Sequence, residues 1–187
     1  MSRAADFARR YRVRLGYPVA LIYVCFVRPS EQTILIGALI ALFGLGIRAA
    51  AAGHLRKHQQ LATSGPYAFT RNPLYFGSAL IAAGFLVAGR CWVGWGWIAM
   101  VVVAAYFAFF YSAVMKREEG ELRTAYGAAF EEYAARVPLF LPRLSGKASE
   151  AGEFSWGQYW RNREYQAALG FVAGIAALCV IMLLQNR

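Results

Sequence analysis

The chain has 187 residues, and 59% of them are apolar, whereas an average soluble domain is nearer half. Its net charge of +10 is compatible with binding to nucleic acid or to anionic lipid. Three cysteines without C-x-x-C spacing and only two histidines indicate neither a disulfide framework nor a zinc site. Because the basic residues cluster beside long uncharged runs, we expect a lipid bilayer as the partner and no nucleic acid.

Five transmembrane helices are predicted along the chain, from apolar runs long enough to cross a bilayer or nearly so. They lie at residues 11–28, 32–52, 73–89, 92–115 and 166–185. We therefore expect an all-α, polytopic integral membrane protein with a single membrane-embedded domain over residues 1–187. Only Gly89, Arg90 and Cys91 separate the third span from the fourth, which predicts a tight helical hairpin.

The first and last spans each carry an additional signal. The basic residues 9–14 and the short apolar run after them are similar to a secretion signal, but no small-residue cleavage site follows. We therefore expect the first span to be retained. In the last span, Gly170 and Gly174 have G-x-x-x-G spacing, which predicts close helix packing within the chain or in a homodimer.

Residues 117–137 are predicted to form an amphipathic helix at the cytoplasmic membrane interface. Charged side chains largely occupy the surface outside its apolar face, and Pro138 ends the pattern. At about 100° per residue, one face collects the apolar side chains Leu122, Tyr126, Phe130, Tyr133 and Val137. Such a helix lies on the bilayer or covers one end of the helix bundle.

The distribution of basic residues predicts the orientation in the membrane. Sixteen of the 20 Lys and Arg residues lie before the first span, between the second and third, or between the fourth and fifth. Three lie on the other side, and Arg48 lies within a span. The amino terminus is therefore predicted to be cytoplasmic and the carboxyl terminus outside. Residues 61–77 and 117–142 then face the cytoplasm together, and the hairpin makes them neighbours.

The start of the third span predicts an anion-binding site. Pro73 suits the first helical turn, whose free N–H groups at residues 72–76 favour negative charge. Arg71 beside it is either a ligand for a carboxylate or phosphate, or an arginine that reaches towards the interface. Tyr67 and Tyr75 flank this site, either as interfacial aromatics or as stacking partners for an adenine or a sulfonium cation.

Two adjacent carboxylates, Glu118 and Glu119, follow the fourth span at the same interface. They either complement the dipole of the following helix or meet the groups near Arg71, because carboxylates at an interface must be solvated or paired. Arg48 is expected to reach the interface, with an ion pair to one of these glutamates as the alternative. His58 is the only candidate base, although a loop histidine is more often solvent-facing.

Linked motifs recur over residues 58–142. They read TSGPYAFTRNPLYFG at 63–77, REEGEL at 117–122 and YGAAFEEYAARVPLFLP at 126–142. They resemble the isoprenylcysteine carboxyl methyltransferase family of integral membrane enzymes, whose general design phospholipid N-methyltransferases share. That family's pattern is T-x-G-x-Y, R-H-P-x-Y-x-G, E-E-x-x-L, F-G-x-x-Y-x-x-Y and V-P-x-x-x-P, and the spacings agree.

The resemblance implies an S-adenosylmethionine-dependent methyltransferase without a metal, acting on a lipophilic acceptor. The acceptor is expected to be an isoprenylcysteine-like carboxylate, a lipid or a small hydrophobic molecule. Catalytic roles are implied for Arg71, Tyr75 and Glu118. Cofactor contacts are implied for Leu61, Ala62, Gly65, Tyr67, Arg71, Asn72, Pro73, Tyr75, Glu118 and Glu119.

One departure keeps two alternatives open. Asn72 stands where the family commonly has histidine; it can donate and accept hydrogen bonds, but it cannot act as an acid or base. The first alternative is an NADPH-dependent membrane reductase, because some sterol reductases resemble this family in their carboxyl-terminal region. The second is a non-catalytic membrane adaptor of the same fold. Binding of S-adenosylmethionine, of NADPH, or of neither separates the three hypotheses.

Overall fold

The computed structural model describes residues 3–57, 59–143 and 152–186. Over these residues the chain is all-α and contains no strand, which confirms the predicted fold class. A short 3-10 helix, Gly65–Ala68, lies between the second and third α-helices. The seven α-helices are α1 Arg3–Phe26, α2 Glu31–His54, α3 Pro73–Ala88, α4 Gly96–Tyr126, α5 Ala128–Arg136, α6 Trp156–Arg161 and α7 Tyr165–Gln185.

Three of these helices, α2, α4 and α7, are long and apolar enough to cross a membrane, with 24, 31 and 21 residues. Two shorter apolar helical segments are Arg14–Phe26 and α3. One side of α2 exposes large apolar side chains, including Leu35, Leu39 and Phe43 at 62%, 59% and 67%. A contiguous apolar face of this kind is unfavourable in water and suited to the hydrocarbon of a bilayer. The protein is therefore an integral membrane protein.

The predicted interfacial helix over residues 117–137 is wrong in its boundaries. The fourth helix continues without interruption to Tyr126, and a separate helix, α5, follows it. Gly127 separates the two helices with a φ of +49°, a backbone conformation that residues with a Cβ rarely adopt. Phe130 and Tyr133 on the predicted apolar face are nevertheless buried, at 0% and 5% exposure.

The connection between α3 and α4 is longer than predicted. The third helix ends at Ala88 and the fourth begins at Gly96, so residues 89–95 join them rather than three residues. Arg90 and Gly94 have positive φ values of 53° and 56°, which turn the chain. Three tryptophans in and beside this turn are exposed by half or more: Trp92, Trp95 and Trp97. This exposure is typical of aromatic side chains at a membrane interface.

The chain divides into two compact units, of which the first is Met1–Ala41, Ala82–Glu118 and Val172–Arg187. Glycines bring two helices into backbone contact within it, because a Cβ on Gly37 or on Gly84 would collide with the other's backbone. Gly174 of the predicted G-x-x-x-G pair packs against the ring of Phe85 in the same unit. Its buried core comprises Val27, Ile34, Ala88, Cys91, Ala99 and Leu178.

The second unit is Leu42–Ile81 and Glu119–Phe171. Close packing is also achieved by glycines here: a Cβ on Gly44 would meet the carbonyl oxygen of Gly77. Gly170, the other member of the predicted pair, has no neighbour within 4 Å among the described residues at the place of its missing Cβ. The second unit contains residues 61–77, Glu119 and residues 120–142, and therefore most of the predicted site.

Candidate functional site

The loop before α3 is fixed by a glycine and a buried tyrosine. Gly65 has a φ of +56°, and the ring of His54 occupies the space where a Cβ would lie. The T-x-G-x-Y motif therefore needs glycine at this position for its backbone and for its packing. The Tyr133 hydroxyl donates a hydrogen bond of 2.7 Å to the carbonyl oxygen of Tyr67. Burial raises the pKa of the Tyr133 phenol, and the positive charge of Arg71 lowers it in part.

The V-P-x-x-x-P segment, residues 137–142, lies along this loop and is hydrogen-bonded to it. The Arg71 N–H donates to the carbonyl oxygen of Pro138 at 2.9 Å, and the Asn72 side-chain amide donates to that of Leu139 at 2.9 Å. The buried Thr70 hydroxyl donates to the carbonyl oxygen of Phe140 at 2.9 Å. Two motifs almost seventy positions apart are therefore one structural element, because each supplies partners for the other's polar groups.

A partly buried ion pair joins Arg71 to Glu119. Nη1 of Arg71 lies against Oε1 of Glu119, and the two side chains are 16% and 22% exposed. Nε of Arg71 is buried and has no hydrogen-bond partner in the described part of the chain. A buried donor without an acceptor is unfavourable, so an acceptor atom of a bound molecule or of water would satisfy it.

Three further predicted site residues lie at the start of α3, and Glu118 precedes Glu119 in the chain. Pro73 is the first residue of α3 and is buried, and Tyr75 follows in the first turn with a half-buried side chain. Asn72 is 8% exposed, with its amide hydrogen-bonded to Leu139 as described. Glu118 is exposed, and Glu119 forms the ion pair with Arg71.

A polar pocket of about 290 Å³ lies at residues 60–64. Leu61 and Ala62, two residues implied as cofactor contacts, line it together with Arg56 and Gly152. Gly65 and Tyr67 follow directly in the chain, and Tyr67 is buried. The volume is close to the lower end of the range for small-molecule pockets, about 300–1,000 Å³, so the pocket is large enough for one end of a nucleoside cofactor.

Arg48 has partners that the sequence did not reveal. It was expected to reach the interface or to pair with Glu118 or Glu119, but it forms an ion pair with Glu164. Its Nη2 donates to Oε2 of Glu164 at 3.0 Å, and its Nη1 donates to the Leu74 carbonyl oxygen at 3.2 Å and to the Ser78 hydroxyl. The sequence did contain one signal for this pair. Glu164 is a carboxylate immediately before an apolar span, and such a group needs a partner.

The two histidines have different positions. His54 is the last residue of α2, and its Nδ1 lies 2.7 Å from the carbonyl oxygen of Ala50. Its ring also contacts the ring of Phe154, so it is not a solvent-facing loop residue. His58, the candidate base, lies outside the described residues. Within the described ranges, no group of three or more His, Cys, Asp or Glu residues is arranged to hold a metal ion.

The helical membrane fold and the motifs in this loop and in the extended segment resemble those of the integral membrane methyltransferases. The model of the phospholipid methyltransferase family matches residues 33–129, and the chain belongs to this family. The motifs identified from the sequence lie largely inside the matched range. The resemblance to the isoprenylcysteine carboxyl and phospholipid methyltransferases is thereby confirmed.

Two curated relatives are similar to most of the chain. The cobalt-zinc-cadmium resistance protein CzcN of Cupriavidus metallidurans is 35% identical over an alignment of 169 residues that covers 83% of this chain and 74% of that protein. The nickel-cobalt-cadmium resistance protein NccN of Alcaligenes xylosoxydans xylosoxydans is 30% identical over an alignment of 160 residues that covers 78% of this chain and 71% of that protein. No solved structure matches the chain.

Proposed function

We propose that this protein is an S-adenosylmethionine-dependent methyltransferase that acts on a lipophilic acceptor at the cytoplasmic face of a membrane. The observation that carries the proposal is the partly buried Arg71–Glu119 pair, with its unpartnered Arg71 Nε, at the start of α3. Membership of a membrane methyltransferase family supports the reaction class. The excess of basic residues in the segments that contain the site supports the orientation.

The residues present fit the proposed cofactor. S-adenosylmethionine carries a carboxylate, an amino group, ribose hydroxyls and a sulfonium cation, so it needs both donors and acceptors. Arg71 Nε is a buried donor suited to a carboxylate oxygen, and the carboxylates of Glu118 and Glu119 suit the amino or ribose groups. The rings of Tyr67 and Tyr75 suit the adenine or the sulfonium. The pocket beside Leu61 and Ala62 supplies space for the nucleoside end.

The chain's contribution to methyl transfer is chiefly alignment. When bound, S-adenosylmethionine supplies an electrophilic methyl group. Arg71 and Tyr75 then orient the reacting ends of cofactor and acceptor, which converts an encounter into a reaction between aligned partners. If the methyl acceptor is a carboxylate, it requires no base. An amine or thiol must lose its proton, and His58 is the proposed base that takes it.

The acceptor is proposed to be lipophilic because a site at the membrane surface meets substrates dissolved in the bilayer. CzcN is named for resistance to cobalt, zinc and cadmium, and NccN for resistance to nickel, cobalt and cadmium. If this chain acts in the same process, we propose that a methylated lipid or small hydrophobic molecule is its contribution. Cells producing the wild type or an Arg71→Ala variant should then differ in their tolerance of cobalt, zinc and cadmium salts.

The direct test is transfer of a labelled methyl group. Full-length protein in lipid nanodiscs is supplied with methyl-labelled S-adenosylmethionine and a membrane lipid extract. Label should enter the lipid fraction with wild type and be lost with Arg71→Ala and with Glu118→Ala. The matched control is Arg136→Ala, which removes an arginine from an exposed ion pair with Glu132 at 71% and 74% exposure. Unchanged transfer in both site variants would reject the proposed roles.

Binding of cofactors separates the alternatives. Saturable binding of S-adenosylmethionine supports the methyltransferase, binding of NADPH instead supports a membrane reductase, and affinity for neither supports an adaptor. The Arg71→Ala variant should lose affinity for S-adenosylmethionine, because it removes the unpartnered donor and leaves Glu119 without its ion pair.

A further inference from the structure

Residues 152–164, here called the clasp, lie outside the range 33–129 that the family model matches. They include α6 and the turn before α7, and they belong to the second unit. The clasp nevertheless contacts the end of α2 and the loop that carries two implied cofactor residues. A segment beyond the family's shared region therefore borders the candidate cofactor pocket.

Polar contacts attach the clasp to the end of α2. The Ser155 N–H donates to the carbonyl oxygen of Gly53 at 3.1 Å. The Asn162 side-chain amide donates to the carbonyl oxygens of Ala52 and Leu55 at 2.9 and 3.0 Å. The last carbonyl groups of a helix have no partners inside the helix, so the clasp satisfies groups that α2 leaves unpaired.

A second attachment lies at the carboxyl-terminal end of the clasp. Glu164 is 7% exposed, and its two carboxylate oxygens accept from Nε and Nη2 of Arg48. The same guanidinium donates to the Leu74 carbonyl oxygen in the first turn of α3. Arg48 therefore connects the clasp to the helix whose start carries the Arg71–Glu119 pair.

The amino-terminal end of the clasp forms part of the pocket wall. Gly152 lines the pocket together with Leu61, Ala62 and Ser64. It has a φ of +109°, and a Cβ at this position would lie 2.6 Å from Oγ of Ser64. The absence of a side chain here allows the clasp backbone to approach the loop closely.

The clasp is held by these polar contacts and by the ring of Phe154, which lies against Gly53 and the ring of His54. Trp156 and Trp160 are 66% and 61% exposed, and no residue of α6 is buried. A segment with few buried apolar contacts opens at a lower free-energy cost than the helices around it. The state in which Asn162 and Glu164 make these contacts is here called closed, and a ligand bound in the pocket would favour it.

We propose that the clasp completes the cofactor site, with Asn162 and Glu164 as positioning residues that hold it against the loop of residues 61–64. This inference rests on the proposed function, because it takes the molecule in the pocket to be S-adenosylmethionine. The clasp is then a wall of the binding site supplied by the carboxyl-terminal part of the chain, in addition to the residues that the family motifs provide.

The test measures binding of radiolabelled S-adenosylmethionine to full-length protein in nanodiscs. Asn162→Ala removes two hydrogen bonds without leaving a charge unpaired. It should raise the apparent Kd about tenfold, because only the closed fraction binds. Glu164→Gln should do the same. The matched control is Gln185→Ala, which removes a comparable amide-to-carbonyl bond of 3.1 Å, to Val27 in the first unit, and should leave the Kd unchanged.

A second readout reports on the clasp itself. Trypsin cleaves after Arg161 and Arg163, which are both in the clasp and exposed. Saturating S-adenosylmethionine should slow cleavage at these sites in the wild type and protect the Asn162→Ala variant less. A structural role alone would lower thermal stability without changing this protection.

Three outcomes would overturn the inference. Wild type that binds S-adenosylmethionine while Asn162→Ala binds equally well rejects the clasp and leaves the proposed function intact. An equal loss of affinity in Gln185→Ala shows a general loss of stability and also rejects it. Wild type without affinity for S-adenosylmethionine rejects the proposed function, and the inference with it.

Discussion

The Arg71–Glu119 ion pair should contribute measurably to stability before any cofactor binds. The perturbation is a double-mutant cycle comprising wild type, Arg71→Ala, Glu119→Ala and the double variant, all in nanodiscs without ligand. The two side chains are 16% and 22% exposed, so they are largely but not completely removed from solvent. The cycle isolates their interaction because it subtracts the effect of each truncation alone.

The magnitude follows from the partial burial. Two unit charges about 4 Å apart attract by roughly 4 kcal/mol at an effective dielectric constant of about 20. Solvent screens this attraction because both side chains are partly exposed, so we expect a coupling energy of about 2 kcal/mol. The exposed pair Arg136–Glu132, with side chains 71% and 74% exposed, serves as the control and should give about 0.5 kcal/mol or less.

The free energy of unfolding is measured by denaturant titration of all four proteins and of the control cycle. Among the variants of the cycle, Glu119→Ala should have the lowest free energy of unfolding, because the Arg71 charge then remains buried without its partner. The reasoning is refuted if the Arg71–Glu119 coupling does not exceed that of the exposed pair, since burial would then have no effect on the interaction.

Three further predictions concern the loop and its partners. Asn72→Asp replaces the amide that donates to the Leu139 carbonyl oxygen with a carboxylate that cannot donate, and should lower the free energy of unfolding by about 2–3 kcal/mol in denaturant titration at neutral pH. Gly65→Ala should lower the thermal midpoint because of its φ of +56° and the His54 ring, whereas Gly120→Ala, inside α4 with no neighbour within 4 Å among the described residues, should raise stability by about 0.5–1 kcal/mol. Burial raises the pKa of the Tyr133 phenol, so the folded state retains its proton; this contribution to stability is present below the ordinary phenol pKa of about 10 and is lost as pH rises above it. The free energy of unfolding, measured at about pH 9 and pH 11, should therefore decrease less between these pH values for Tyr133→Phe than for wild type. An equal decrease would contradict the raised pKa of Tyr133.

The proximity of residues 61–77 and 117–142 near the start of α3 was predictable because it depends only on topology. An even number of spans separates residues 61–77 from residues 117–142, and the spacing of the linked motifs was visible in the sequence. Which of the two adjacent glutamates meets Arg71 was not predictable. Successive residues differ by about 100° around a helix, so the answer depends on the rotation of α4, which packing determines.

The Arg48–Glu164 pair could not be predicted for a related reason. Glu164 lies 116 positions from Arg48, and a single carboxylate beside an apolar span has many possible partners. The break at Gly127 was equally hidden, because the apolar positions on either side of it fit one continuous helical period. Hydrophobic periodicity indicates which face is buried, but it does not indicate where a glycine interrupts the backbone.

Asn72 is better understood from its partner than from the family pattern. Its side-chain amide donates to the Leu139 carbonyl oxygen. Its backbone carbonyl oxygen accepts a hydrogen bond from the Phe76 N–H in the first turn of α3. An N–H donor on a neutral histidine ring is also chemically able to bond a carbonyl. The substitution therefore preserves a donor next to the V-P-x-x-x-P segment, which explains how the loop keeps its structure without histidine.

The first turn of α3 is held from three directions, each by a different part of the second unit. Glu119 binds Arg71, the Leu139 carbonyl oxygen binds Asn72, and Arg48 binds the Leu74 carbonyl oxygen. Arginine inside an apolar helix is unfavourable unless it is paired, so Arg48 persists there because Glu164 and the α3 backbone satisfy it. Methyl transfer depends on the alignment of donor and acceptor, and alignment requires side chains whose own positions are fixed. These contacts therefore fix the backbone from Arg71 to Tyr75 before any ligand arrives.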